Sequence, residues 1–100
     1  MSWATHYMEK LKEGATVQFR PRGHSMKGKI ASGQLVTVEP VRDRKLKLND
    51  IVLCKVNGNQ YLHLIKAIQG NRYQIENNIG RINGWITQNG VFGICVNIEK

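Results

Sequence analysis

A chain of 100 residues, 41% hydrophobic and 22% charged, fits one folded domain; it leaves no room for a second and argues against disorder. Fifteen Lys and Arg against seven Asp and Glu give a formal charge of +8, which permits a polyanionic partner such as nucleic acid and equally serves solubility. The two cysteines lack CxxC or other zinc spacing, and no apolar run approaches the ~20 residues of a membrane span.

The first segment, residues 1–14, reads as a helix. Trp3, Tyr7, Met8 and Leu11 recur near helical spacing and share a face, which suits packing across a sheet. Ser2 is placed to cap its start and Gly14 to end it. Its polar residues exclude a secretory signal, so a cytoplasmic protein without membrane contact is the expectation.

Residues 15–100 read as a β domain. TVQFR alternates, and QLVTVEPV runs up to Pro40, which marks its end or an edge. DIVLCKV is almost continuously apolar and reads as a strand buried on both faces. Asn57-Gly58 is a hairpin signal, QYLHLIKAI the returning strand, Gly70-Asn71 the next turn and RYQIEN the strand after it. NNIGRING is turn-rich; WITQ and VFGICVNI then close the chain, separated by Asn89-Gly90. The predicted class is mainly β: one N-terminal helix, then a coiled antiparallel sheet. Cys54 and Cys95 lie in two of the apolar runs and read as free core thiols, with a single disulfide left open.

Arg42, Arg44, Lys45 and Lys47 crowd the segment between two strands. They read first as a solvated loop and second as a contact for phosphates or an acidic partner. The seven aromatic residues do not interleave with them, so a stacking platform for single strands is poorly supported.

Catalytic chemistry has few carriers. No metal cluster or paired carboxylates stand out, and no cofactor is implied. Ser25 lies in the basic stretch RPRGHSMKGKI, which by itself reads as a surface turn. A serine becomes a nucleophile only beside a base and with donors for the oxyanion. His6 falls on the helix, and His24 would point away from Ser25. His63 is a polar residue in an apolar strand, a position more often structural than catalytic. Lys66, three residues on, is a second candidate base and equally reads as a surface lysine.

GHSMKGKIASGQLVTVEPV, LNDIVLCKV, YLHLIKAIQGNRYQIENN and VFGICVNI, in that order, resemble the signal peptidase and LexA-like repressor peptidase superfamily. The resemblance covers about four-fifths of the chain and implies a serine peptidase fold of coiled antiparallel sheets. It places the nucleophile at Ser25 and the general base at His63, with Lys66 as the alternative. It implies an oxyanion site from backbone N–H groups around Ser25, in the turn carrying Gly23 and Met26. Asn78 or Asn83 would orient His63. The sequence departs from the pattern where Gly28 stands for the motif proline, Asn49-Asp50 for Gly-Asp, and Asn83 for the later acid.

Two functions follow as expectations. The first is a small peptidase cleaving a peptide or protein in trans through Ser25 and His63, with small residues at the scissile bond. The second is a catalytically inactive module of the same fold. It would bind a protein or nucleic acid through Arg20, Arg22, Lys27, Lys29, Arg42, Arg44, Lys45 and Lys47.

Overall fold

Alternating and continuously apolar runs carry the chain into seven strands, and the computed structural model, which describes residues 2–100, joins them in one sheet. The elements are α1 (Thr5–Lys12), β1 (Val17–Phe19), β2 (Val36–Glu39), β3 (Ile51–Val56), β4 (Asn59–Gln69), β5 (Arg72–Glu76), β6 (Ile82–Thr87), a single 3-10 turn (Gln88–Gly90) and β7 (Val91–Ile98). Every pairing is antiparallel, in the order β1-β2-β7-β3-β4-β5-β6, and the sheet does not close into a barrel. No helix among the described residues is long and apolar enough to cross a membrane.

The mainly β class expected from the sequence is thus the observed one. β3 is central, between β7 and β4, and is buried on both faces as its apolar run requires. Leu53 faces one core with Val36, Val38, Leu62 and Leu64, onto which α1 lays Met8 and Leu11. Val52, Cys54 and Val56 face a second core with Ile65, Ile75 and Ile94. The Cys54 thiol is free, and burial pushes its pKa up to about 12. Cys95 is also free, and its Sγ donates to Asn97 O.

Asn57 and Gly58 both take positive φ, +51° and +83°, so β3 returns as β4 through a two-residue hairpin. Two expectations need correction. The helix spans Thr5–Lys12 rather than residues 1–14, of which Met1 lies outside the described residues. Ser2 contributes its backbone oxygen, which accepts from Thr5 N, and no side chain caps the helix. The second concerns NNIGRING. Its last three residues join β6, because the strand starts at Ile82 and pairs with Glu76.

β6 has one more residue than its partner can match. Ile75 pairs with Gly84 and Glu76 with Ile82, so Asn83 is the extra residue of a β-bulge. β4 has the same irregularity at Lys66, between the pairs Ile65–Ile75 and Ala67–Gln74. A bulge turns its extra residue out of the regular alternation.

Candidate active site

Ser25 sits in a loop that several independent ties hold. Met26 and Ile30 are buried in the first core and anchor its middle. Gly33 N donates to Pro21 O at 2.8 Å, and Gly23 N to Ser32 Oγ at 3.1 Å, which closes the base of the loop. Gly23 has φ +108°, a value that favours glycine, just before the serine. Within the loop Lys27 N donates to His24 O, and Lys29 N and Ile30 N both donate to Met26 O. From the turn after β5, Asn78 N donates to Ser25 O at 2.8 Å and Asn78 Nδ2 to Lys27 O at 2.6 Å.

The neighbour of Ser25 Oγ is His63 on β4, whose Nε2 lies 3.1 Å away. On the other side of the ring, His63 Nδ1 lies 2.7 Å from Asn83 Oδ1. An amide oxygen only accepts, so Nδ1 carries the proton and Nε2 is left free to accept from the serine hydroxyl. The ring also stacks on Tyr61, with centroids 4.8 Å apart and planes 22° from parallel. His63 is only 6% exposed, and burial lowers its pKa while the Asn83 hydrogen bond works in the opposite direction. The neutral imidazole, the form that can accept a proton, is therefore favoured.

Among the described residues, neither Ser25 N–H nor Met26 N–H donates to a backbone acceptor. Both adjoin the hydroxyl and are available as donors. The cleft at Ser25 and His63 has a volume of about 140 Å³. Its walls are the segment Pro21–Gly23 and residues 60–63 of β4, with Trp3 at one end.

β4 is open along part of its length. β3 pairs with Asn59–Leu64 on one side, while β5 begins pairing only at Leu64. Gln60 O accepts from Trp3 Nε1 at 3.2 Å, so its backbone groups face away from β3. By the two-residue period those of Leu62 face the same open side, toward the cleft.

The remaining candidates lie elsewhere. Asn78 does not orient His63; it holds the Ser25–Lys27 backbone. Lys66 is exposed at its bulge and donates to Asn49 Oδ1 at 3.2 Å, while His63 takes the position beside Ser25. His6 and His24 are both exposed. In the basic loop Arg44 pairs with Glu39, Lys47 Nζ lies 3.0 Å from Asp50 Oδ1, and Arg42 donates to Gly14 O. Three of its four cations are thus engaged locally; Lys45 is exposed. Arg22 is exposed at the cleft, Lys27 and Lys29 are exposed on the Ser25 loop, and Arg20 donates to Gly33 O.

No family model matches the chain, and no curated protein matches it significantly.

Three contributors had not been singled out in the sequence. Tyr61 supports the His63 ring. Gln60 is buried and binds Trp3 through its O, Ala4 N through Oε1 and Thr5 Oγ1 through Nε2. Asn77 is buried, and its Oδ1 accepts from Ile79 N and Arg81 N, which shapes the turn leading to Asn83. A polar residue inside an otherwise buried strand, as at Gln60, was the one available signal.

Proposed function

We propose that the protein is a serine hydrolase of the peptidase type, with Ser25 as nucleophile, His63 as general base and Asn83 as the group that orients it. The single observation that carries this reading is the line of contacts Ser25 Oγ, His63 Nε2, His63 Nδ1, Asn83 Oδ1, at 3.1 and 2.7 Å. A nucleophile, a base and an orienting acceptor in hydrogen-bond reach are what acyl transfer requires.

In this reading Ser25 Oγ attacks the amide carbonyl carbon as its proton passes to His63 Nε2. The N–H groups of Ser25 and Met26 donate to the developing oxyanion. His63 then gives the proton to the leaving amine, and the C–N bond breaks. Water attacks the acyl-Ser25 ester with His63 again as base, and the carboxylic acid leaves as the serine recovers its proton. Asn83 holds the productive tautomer throughout but, being neutral, stabilises the imidazolium less than a carboxylate would.

The open stretch of β4 supports an extended peptide as substrate, bound by main-chain hydrogen bonds along Gln60–Leu62. The volume of the cleft is well under the ~300 Å³ of pockets for drug-sized ligands and suits a short side chain at the scissile bond. The order of the Ser25, His63 and Asn83 segments also agrees with the resemblance to the signal peptidase and LexA-like superfamily.

The test is incubation with a mixture of synthetic peptides, followed by mass spectrometry. Cleavage after small residues by the wild type, absent with Ser25→Ala, is expected; an identical product pattern for the two proteins would reject the reading. A second function, a non-catalytic module for an acidic protein or nucleic acid, is favoured by the exposed Arg22, Lys27 and Lys29 on the segment that carries Ser25. Nucleic-acid binding of that kind would weaken steeply with salt.

A further inference from the structure

Trp3 lines two adjoining hollows. One is the cleft at Ser25 and His63, and the other is an open groove of about 310 Å³ walled by Trp3, Tyr7, Phe19, Arg20, Pro21 and Arg22. Pro21 and Arg22 also border both, so the groove continues the cleft past the indole. Three rings build it. Tyr7 stacks on Phe19 with centroids 4.4 Å apart, and Trp3 meets Phe19 edge-on at 5.6 Å.

Trp3 is held in place yet stays half in water. Its indole N–H donates to Gln60 O, and the next residue, Ala4, donates its N–H to Gln60 Oε1. The residue nevertheless remains 49% exposed. A single exposed aromatic is ordinary. Here the exposed ring belongs to a fixed cluster of three that opens into a candidate catalytic cleft, and its one polar group is already used.

The rim of the groove is cationic. Arg20 spends Nη1 on Gly33 O, and Arg22 forms no ion pair among the described residues. Among the described residues no carboxylate lines the groove. An occupant is therefore favoured if it brings an apolar group for the rings and an acid for the guanidinium groups.

We infer that the groove is a second subsite for the substrate peptide, taking a bulky apolar side chain with an acidic residue beside it. This rests on the peptidase reading and names its substrate class. Gln60, which holds Trp3, is three residues from His63 along β4. At about 3.3 Å per residue that is about 10 Å. A peptide extended along β4 reaches the indole about three residues from the bond that Ser25 attacks. The substrate thus has short side chains at the scissile bond and an aromatic-acidic pair about three to five residues away.

The experiment uses the full chain carrying Ser25→Ala, which prevents turnover, and fluorescein-labelled peptides followed by anisotropy. All share an Ala-Ser-Ala core; they carry Phe-Asp on the N-terminal side, Phe-Asp on the C-terminal side, or Gly-Lys on both. One Phe-Asp peptide is expected to bind at least ten-fold more tightly than the Gly-Lys peptide. Trp3→Ala and Arg22→Glu should each remove most of that gain. Arg22 is exposed, so its substitution tests the charge without disturbing the core. Equal binding of all peptides, no binding at all, or a Phe-Asp preference that survives both substitutions overturns the subsite. Labelling of wild-type Ser25 by a fluorophosphonate separates the two ideas. Labelling without a Phe-Asp preference sinks the subsite alone. The preference without labelling keeps the groove as a peptide site and sinks hydrolysis.

Discussion

Asn83 reaches His63 because it is the residue that the β5–β6 ladder skips. Ile75 pairs with Gly84 and Glu76 with Ile82, which leaves Asn83 unmatched, and its Oδ1 lies 2.7 Å from His63 Nδ1. The bulge thus aims an acceptor at the ring, and the ring in turn presents Nε2 to Ser25.

Removing that acceptor tests the arrangement. Asn83→Ala should slow covalent labelling of Ser25 at pH 7 by about 10²-fold, because the tautomer with Nε2 free is no longer selected. Asn83→Asp should restore labelling. It should also move the acidic limb of the pH profile upward by about one unit or more, because the carboxylate favours imidazolium. An unchanged limb in Asn83→Asp would show that residue 83 does not act on the histidine.

Burial lowers the His63 pKa, and the consequence for reactivity has a sign. The neutral base persists below the usual histidine value of about 6.5. The midpoint of labelling rate against pH should therefore lie below 6.5. A midpoint above 6.5 would contradict the assignment.

The same shift links to stability. Between the lowered folded value and about 6.5, the unfolded chain binds a proton that the folded chain refuses. The contribution of His63 is complete above about pH 6.5 and is lost as pH falls through the folded value. Urea midpoints should drop from pH 7.5 to pH 5, and the drop should shrink in His63→Gln. Equal drops in the two proteins would place the acid sensitivity elsewhere.

The core can be probed at Gly93 on β7. A Cβ there would lie 2.7 Å from Val38 Cγ1, 2.9 Å from Glu39 O and 3.0 Å from Leu11 Cδ1. One of those atoms is backbone and cannot swing aside. Gly93→Ala should cost about 1–3 kcal/mol in denaturant unfolding, with α1 and β2 pushed from the core. Wild-type stability would mean that β7 does not pass this close to α1.

Some of this was legible in the sequence. Alternation found β1, Asn57-Gly58 found its hairpin, the apolar run of β3 announced a buried strand, and turn residues bounded the remaining strands. Strand order was hidden, because alternation tells which side chains face the core and not which strand lies alongside. Nothing local shows that β7 inserts between β2 and β3. The start of β6 was hidden for another reason. Asn83 and Gly84 read as turn residues, yet in a bulge the same residues belong to the strand. Ser25 and His63 were nameable only through resemblance, since they are 38 residues apart and each alone has a bland explanation. Gln60, Tyr61 and Trp3 act through contacts that only the fold creates.

The measurement that bears most directly on the central claim is labelling of the purified protein with a fluorophosphonate probe, beside Ser25→Ala and His63→Ala. The account predicts one label on the wild type, located at Ser25 by peptide mapping and lost in both variants. Labelling of His63→Ala at the wild-type rate, or no label on the wild type above the Ser25→Ala background, would contradict it.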